Sequence, residues 1–348
     1  MVSGMARPLL LALARRRGML AWGAAAAFAF ASAQALAAST SRMPDPRPGG
    51  GQSERSINEW LVRMHDASRQ RSYVGTFVVS SSNGAMASAR IWHACDGQRQ
   101  VERVETLSGE RRSTIRRDDE VVTFLPESHT VRTERREALG LFPELMKVEE
   151  SAIPEFYTAR RVGSDRVAGF DADIVQMLPR DALRFGYRIW SEKKSGLVVK
   201  LQTLDDSGRV LEQAAFSELQ LDAPLRMDRL AQMMSVPEGW HVERAEAPRT
   251  TAANEGWGLR QAVPGFRAMN CYKRPVEGVL QCIFSDGLAS VSVFIENYDP
   301  QHPRQEGVFA SGATHSLTRQ VQDWWVTAVG EVPPQTLRAF SLSLERRK

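Results

Sequence analysis

The first ordered pattern along the chain is helical and begins at Ser56. Ser56 and Glu59 form the Ser-x-x-Glu sequence of a capping box. Apolar side chains then recur at the three- and four-residue spacing that puts them on one helix face, at Ile57, Trp60 and Leu61 and again at Met64. This spacing predicts a short amphipathic helix with one buried face.

From Tyr73 onward the period of the apolar residues changes to two, which is typical of β-strands. After the run Tyr73–Val79, which ends in a polar turn at 81–84, further strand-like runs follow at 86–93, 99–106, 112–116, 120–125, 129–134, 158–162, 173–178, 184–190, 197–204 and 209–217. Asp205-Asp206-Ser207-Gly208 has the composition of a hairpin turn. A short helix or loop is expected at 139–147. The region reads as antiparallel β-structure covered by a helix or two.

The pattern changes at 222–239, where prolines flank a short helical spacing of Met and Leu residues. A second β-rich unit follows, with strands expected at 266–271, 279–284, 290–295, 313–320 and 323–329 and a final helix from Pro333. The sequence therefore predicts an α+β protein with a larger domain at 56–222, an interdomain linker at 223–239 and a smaller domain at 240–348.

The N-terminus has the three zones of a secretory signal. Arginines without acidic neighbours precede the apolar stretch Met19–Leu36, and Ala35-Leu36-Ala37 has the small-x-small pattern of a cleavage site. We expect residues 1–37 to be a cleaved signal peptide and 38–55 to be a flexible linker, which makes the protein an exported one. An uncleaved anchor is the alternative, and Sec and twin-arginine export are both left open.

Removal of the leader also changes the charge. The formal net charge of +4 for the whole chain falls to about zero, because residues 1–37 contain four arginines and no acidic residue. The Arg-rich stretch 90–136 holds ten arginines but also nine acidic residues. Nucleic-acid binding needs an unbalanced positive field, so we expect no nucleic-acid partner.

Two of the three cysteines lie on the arms of one predicted hairpin. If the turn is centred between Val276 and Glu277, facing positions sum to 553, as do Cys271 and Cys282 and also Met269 and Phe284. Facing residues are close enough for a disulfide, and export permits oxidation. We therefore expect a Cys271–Cys282 bond, with two buried free thiols as the alternative; Cys95 is left over.

The search for catalytic chemistry finds no placed constellation. The six histidines lack metal-type pairing, and although His93-Ala94-Cys95 could supply two ligands, no third is signalled. Ser191–Lys194 matches Ser-x-x-Lys but falls in a turn, without the Lys-Thr-Gly partner of penicillin-binding proteins. We expect neither a metal, a cofactor nor an enzyme activity.

What remains is apolar and aromatic. A large antiparallel sheet with an inward apolar face can hold a lipid-like ligand, although inward aromatic residues more commonly belong to an ordinary core. The lipid-pocket candidates are Phe77, Phe124, Phe185, Tyr187, Ile189, Val199 and Leu201.

Several short runs taken together resemble the RseB/MucB family of periplasmic regulators of the sigma-E envelope stress response. These runs are Tyr73–Phe77, Val167–Gly169, Arg184–Tyr187 through Trp190, Ser195–Leu197, Leu211–Gln213 with Phe216, Val263–Phe266, Ser285–Leu288 followed by Ser290–Val293, and Thr327–Pro333. Each run alone is weak, but their order and spacing over about 56–345 are fairly specific. Phe185 departs from the expected Tyr, and Glu192-Lys193-Lys194 replaces an Asp-led turn.

The resemblance implies an N-terminal domain similar to the lipoprotein carriers LolA and LolB, an antiparallel β half-barrel closed by helices. It also implies binding to the periplasmic domain of an inner-membrane anti-sigma factor of the RseA/MucA type, protection of that partner from site-1 proteolysis, and release by lipid or lipopolysaccharide derivatives. The C-terminal domain is the expected partner-binding unit, while the contact residues and any homo-oligomer are left open. The alternative function is a periplasmic lipid or lipoprotein carrier.

Overall fold

The computed structural model describes residues 55–135, 153–245, 248–274, 278–301 and 304–347. The predicted signal peptide, nearly all of the linker after it and the helix or loop expected at 139–147 lie outside the described residues. Within the part of the chain that the structure describes, none of the helices combines the length and the apolarity needed to cross a bilayer.

Helix α1 (Ile57–Gln70) confirms the predicted capping box. The Glu59 backbone N–H donates to Ser56 Oγ at 3.3 Å, and the Ser56 backbone N–H donates to Glu59 Oε2 at 2.6 Å. These two bonds satisfy N–H groups that have no partner within the helix. The predicted apolar face is buried, with Trp60, Leu61 and Met64 each at most 1% exposed.

The first sheet has twelve strands and occupies most of the N-terminal half. Its strands are β1 (Tyr73–Ser81), β2 (Met86–Cys95), β3 (Gln100–Thr106), β4 (Ser113–Arg117), β5 (Glu120–Leu125), β6 (Thr130–Arg135), β7 (Tyr157–Val167), β8 (Phe170–Pro179), β9 (Gly186–Glu192), β10 (Val198–Leu204), β11 (Val210–Leu221) and β12 (His241–Ala245). Their spatial order is β12-β6-β5-β4-β3-β2-β1-β11-β10-β9-β8-β7. The β1–β11 pair joins two antiparallel meanders into one sheet. A 3-10 turn (Pro126–Ser128) and helix α2 (Ile153–Phe156) are the short elements between strands.

The segment expected to link the domains packs on this first sheet. Helix α3 (Met227–Gln232) contacts β3 and β4, and its Leu230 is buried in the same apolar cluster as Phe124 and Val131. Strand β12 then pairs with β6 in parallel, with His241 opposite Thr130. Residues 241–245, which the sequence places in the second domain, thus extend the first sheet, because their backbone groups are satisfied by β6.

The second sheet has seven strands in the order β13-β15-β16-β17-β20-β19-β18. Its strands are β13 (Arg249–Thr250), β15 (Arg267–Arg274), β16 (Val279–Ser285), β17 (Ser290–Asn297), β18 (Gly307–Ser311), β19 (Thr314–Val321) and β20 (Trp324–Gly330). Helix α4 (Pro334–Ser343) lies on this sheet and buries Leu337 and Phe340, each 0% exposed. A separate pair, β14 (Trp257–Leu259) and β21 (Leu344–Arg346), completes the unit. The predicted α+β class, with a large mostly antiparallel N-terminal sheet and a smaller C-terminal one, is confirmed.

Candidate functional site

The two sheets meet around one buried arginine, Arg184, in the loop before β9. Its side chain is 0% exposed, and Nε donates to Asp286 Oδ2 in the β16–β17 turn at 2.7 Å. Nη2 donates to the Pro264 carbonyl oxygen at 2.5 Å, and Nη1 donates to Asp181 Oδ2 at 2.5 Å. A guanidinium is rarely buried unless it is paired, and here all three nitrogens have partners, two of them in the second domain.

Asp286 connects the ion pair to the turn that carries it. Its Oδ1 accepts the backbone N–H groups of Leu288 and Ala289 at 2.9 and 2.7 Å. Its Oδ2 accepts the hydroxyl of Tyr157 at 3.2 Å in addition to Arg184. Because one carboxylate orders its own turn and binds two side chains of the first domain, separating the turn from that domain breaks both of these side-chain hydrogen bonds.

Two aromatic rings enclose the guanidinium of Arg184. Its Cζ lies 4.2 Å from the ring centroid of Phe156 and 4.9 Å from that of Phe266, one ring from each domain. Gly265 makes this approach possible, since it has a φ of +78° and a Cβ there would lie 2.7 Å from the Phe156 ring. A cation–π contact at a desolvated site is worth about 2 kcal/mol, so the two rings reinforce the ion pair.

Further contacts extend this junction on both sides. Thr336 Oγ1 donates to the Leu183 carbonyl oxygen at 2.6 Å, and at the other side the rings of Phe185 and His315 lie 5.7 Å apart. Burial lowers the pKa of His315, which keeps the imidazole neutral at pH 7 beside Phe185. Leu288 of the second domain is 5% exposed within an apolar cluster of the first. We name the contacts centred on Arg184 and Asp286 the domain junction.

Arg184 and Asp286 lie within the runs that carry the family resemblance, but the sequence alone assigns neither of them a role. Three of those runs, Arg184–Tyr187, Val263–Phe266 and Ser285–Leu288, meet at the domain junction. A charged residue between apolar and aromatic neighbours was the available signal, since such a residue needs a buried partner. The partner is 102 positions away, however, and no local periodicity identifies it.

The lipid-pocket candidates are all buried, but they lie in different places. Tyr187, Ile189 and Leu201 belong to one cluster, which the apolar face of α1 covers. Ile189 and Leu201 are directly opposite each other on β9 and β10. These three form the group that the structure brings together.

The other four candidates are separate from that group. Phe77 and Val199 belong to a second cluster, in which Phe77 packs edge-on against Phe216. Phe124 lies in a third cluster, beneath α3 and 6.2 Å from the Trp240 ring. Phe185 faces the domain junction instead of the sheet interior.

Cys271 and Cys282 form a disulfide in the structure, on β15 and β16, and both are buried in the core of the second domain. They are paired in register as the hairpin arithmetic requires. The companion pairing of Met269 with Phe284 is wrong: a bulge between Ala268 and Cys271 shifts the register, and Phe284 faces Ala268. Among the described residues no three His, Cys, Asp or Glu side chains are grouped as a metal site would need.

Comparison with known proteins accounts for both halves of the chain. The family model of the MucB/RseB N-terminal domain matches residues 56–234, and that of the MucB/RseB C-terminal domain matches 251–345. The chain is 32% identical to the sigma factor AlgU regulatory protein MucB of Pseudomonas aeruginosa over 298 residues, which are 82% of this chain and 90% of MucB. It is 26% identical over 298 residues to the sigma-E factor regulatory protein RseB of Escherichia coli K12, covering 82% of this chain and 89% of RseB.

Solved structures agree with the sequence matches. The crystal structure of MucB in complex with the periplasmic part of MucA superposes with a TM-score of 0.62 at 28% identity, over 83% of this chain and 98% of that one. A second MucA/MucB complex, from Pseudomonas aeruginosa, gives a TM-score of 0.63 over 84% of this chain and 99% of that one. The chain therefore belongs to the MucB/RseB family of sigma factor regulatory proteins.

Proposed function

We propose that this protein is a periplasmic negative regulator of a sigma-E-type envelope stress response, which acts by binding the periplasmic domain of a membrane anti-sigma factor. The observation that carries the proposal is the likeness, over 83% of the chain, to a MucB solved together with the periplasmic part of MucA. Both domains of the present chain take part in that likeness. The predicted leader at 1–37 supports export, and we propose that it is cleaved.

The regulatory step follows from mass action. While the anti-sigma factor is bound, its cleavage segment is withheld from the site-1 protease, and the sigma factor stays silent. A lipid or lipopolysaccharide derivative that prefers the released form shifts the balance by its differential affinity for the two forms. We propose that the first domain senses the acyl chain and that the second domain carries the main contact with the anti-sigma factor.

The cluster of Tyr187, Ile189 and Leu201 is the best supported acyl site among the candidates. Helix α1 covers it, together with Ile153 of α2 and Leu288 of the second domain, whereas the sheet itself is held by hydrogen bonds to neighbouring strands. An acyl chain can replace the apolar face of α1 without breaking a strand pair. Phe77, Phe124, Phe185 and Val199 remain candidates that lie outside this cluster.

Because α3 and β12 pack on the first sheet, we propose that 223–239 moves with the first domain and does not act as a free linker. Release then consists of a reorientation of the second domain relative to the first, with the domain junction opening. Through this step, lipid binding in the first domain can change the affinity of the second domain for the partner.

Strand β18 is the surface that we propose for the anti-sigma factor. It lies at the edge of the seven-stranded sheet, and residues 307–310 are all exposed. Phe309 is 72% exposed and Val308 is 39% exposed, which is unusual for apolar residues in a strand. An edge strand offers unpaired backbone groups to an extended segment of the partner, and the adjacent aromatic side chain supplies an apolar anchor.

A protease-protection assay tests the proposed function. The mature protein is mixed with the periplasmic domain of the cognate anti-sigma factor and the site-1 protease, with and without lipopolysaccharide fragments. We expect cleavage to be slowed by the protein and restored by the fragments. Cleavage at the same rate with and without the protein would overturn the regulatory proposal, and co-purification of lipoprotein without any anti-sigma factor would favour the carrier alternative.

Phe309→Asp tests the docking surface. If Phe309 anchors the partner, we expect the dissociation constant to rise roughly thirty-fold, because loss of an interface hot spot costs about 2 kcal/mol. Met86→Asp is the matched control, since Met86 is 74% exposed on the first sheet and is expected to leave the affinity unchanged. Equal affinities for Phe309→Asp and the wild type, measured by calorimetric titration, would place the partner elsewhere.

A further inference from the structure

A row of polar side chains crosses the first sheet through its interior. Direct cross-strand pairing connects Tyr73 on β1 to His93 on β2, His93 to Glu102 on β3, and Glu102 to Arg116 on β4. Directly opposed residues share one face of a sheet, so all four lie on the same side. His93 is 0% exposed and Glu102 is 8% exposed. Burying a carboxylate and an imidazole costs free energy unless they are paired, so the stability of this arrangement depends on how the two side chains interact.

The imidazole of His93 is held in a fixed orientation. Its Nδ1 lies 3.4 Å from Glu102 Oε2, and its ring stacks on that of Tyr73 with the centroids 5.0 Å apart and the planes at 16°. The second ring nitrogen, Nε2, is buried and has no hydrogen-bond partner among the described residues. When Nδ1 carries the proton and faces Glu102, Nε2 of the neutral imidazole is a proton acceptor.

The thiol of Cys95 is close enough to the His93 imidazole for a side-chain interaction. Cys95 is two residues from His93 along β2, so both side chains project from the same face of the strand. Cys95 is free, half-buried and held at the end of β2, where its backbone N–H donates to Ser72 Oγ at 3.3 Å. Burial alone raises the pKa of this thiol, but the interaction with His93, together with hydrogen bonds from Ser72 and the Gly97 backbone, outweighs burial, and the pKa is lowered.

The same interaction is visible from the histidine. Burial alone lowers the pKa of His93, whereas Cys95 and Glu102 together raise it. Glu102 in turn has a lowered pKa, because His93 and the positive charge of Arg116 outweigh its burial. The three side chains form a carboxylate–imidazole–thiol sequence, the arrangement that activates cysteine nucleophiles in proteins.

We propose that Cys95 is a reactive thiol that exchanges with small disulfides, with His93 as the proton acceptor and Glu102 as the residue that positions the imidazole. Nε2 of His93 takes the proton of Sγ, and the thiolate attacks one sulfur of the small disulfide. The new S–S bond forms as the old one breaks, and the leaving thiolate takes the proton from His93. A thiol and a disulfide become a mixed disulfide and a small thiol, and no further oxidant is needed.

The chain is well suited to a test because it contains three cysteines, of which Cys271 and Cys282 are bonded. The mature protein is treated with oxidised glutathione, and the adduct is located by mass spectrometry. The rate of the free thiol with dithiodipyridine is then followed between pH 5 and pH 9, beside a peptide of residues 91–99. We expect one adduct, on Cys95, and a rate midpoint below that of the peptide, in which the thiol has the ordinary cysteine pKa of about 8.5.

Two variants separate the roles. Glu102→Gln keeps the shape of the side chain but removes the charge that orients His93, and we expect the rate midpoint to rise toward that of the peptide. Asp96→Asn is the matched control, because Asp96 adjoins Cys95 but caps the following turn without facing His93. A wild-type midpoint equal to that of the peptide, or no adduct on Cys95, would overturn the proposal. If Glu102→Gln fails to fold, the wild-type midpoint alone decides.

Discussion

At the scale of single residues, the buried pair of His93 and Glu102 makes stability depend on pH. The pKa of His93 is raised from its ordinary value of 6.5, so its contribution is complete below pH 6.5 and is lost as the pH rises through the folded-state pKa. The pKa of Glu102 is lowered from 4.5, so its contribution is complete above pH 4.5 and is lost as the pH falls through the folded-state pKa. Both contributions are therefore complete only between these two ordinary values.

Glu102→Gln is predicted to destabilise the protein most within that window. Removal of one member of a buried ion pair costs about 3–5 kcal/mol, because the other charge is left without its partner. Urea unfolding at several pH values measures the difference from the wild type, which we expect to shrink above the folded-state pKa of His93. Arg99→Gln is the control: it breaks the exposed pair with Asp96, and such solvent-screened pairs contribute little to stability. A Glu102→Gln difference that is the same at pH 5.5 and pH 9 would contradict the pairing.

At the scale of elements, the sequence pattern predicts those turns and hairpin pairings that depend on residues close together in the chain. The hairpin turn at 205–208 forms as expected, because Asp205 Oδ1 accepts the backbone N–H groups of Ser207 and Arg209 at 3.0 and 2.9 Å. The register arithmetic that pairs Cys271 with Cys282 also pairs His93 with Glu102, since 96–99 is a turn and facing positions there sum to 195. The same rule therefore predicts from the sequence that His93 faces Glu102.

Other elements could not be predicted, because distant residues decide them. Strand β12 has no alternation of its own, and it is a strand because β6 offers an edge to pair with. The bulge at Ala268–Cys271 is likewise invisible in the sequence pattern and shifts the predicted pairing of Phe284. The half-barrel architecture was expected from the family resemblance and not from periodicity. The order and spacing of short runs identify a family, whereas periodicity identifies only single helices and strands.

Ser56→Ala is predicted to loosen helix α1. The substitution removes the side-chain acceptor of the capping box, which costs about 1 kcal/mol. Because α1 covers the cluster of Tyr187, Ile189 and Leu201, we expect faster amide hydrogen exchange in 57–70. We also expect a fluorescent lipid to bind at a lower concentration than to the wild type. Glu59→Gln is the control, since a glutamine can also accept the reciprocal hydrogen bond. Unchanged exchange in α1 would show that the helix is held by its packing alone.

At the scale of the whole molecule, two sheets with separate apolar cores are joined by a mainly polar junction. Each sheet has its own apolar core, with Leu288 of the second domain inserted into a cluster of the first, whereas Arg184 and Asp286 are paired only when the domains are together. A buried ion pair contributes little net stability compared with apolar residues of the same size, but it penalises every arrangement in which one partner is missing. The junction thus specifies one relative orientation of the domains, and the release step that we propose requires it to open as a unit.

Arg184→Met is predicted to uncouple the two domains. The methionine can still pack between the rings of Phe156 and Phe266, but Asp286 loses its buried counter-charge, at a cost of about 3–5 kcal/mol. We expect calorimetry to resolve two unfolding transitions where the wild type shows one. If the junction must open for release, lipopolysaccharide fragments also free the anti-sigma factor at lower concentration from this variant.

The control for this prediction is Arg71→Met, which breaks the pair of Arg71 with Asp222 at the surface, where both side chains are more than one third exposed. Such a pair is worth at most about 1 kcal/mol, so both the single transition and the lipid concentration for release are expected to stay as in the wild type. Two transitions in Arg184→Met with an unchanged lipid concentration for release would mean that the junction couples the unfolding of the domains but takes no part in release. One transition with unchanged stability would mean that the ion pair does not couple the domains, and the proposed reorientation would lose its physical basis.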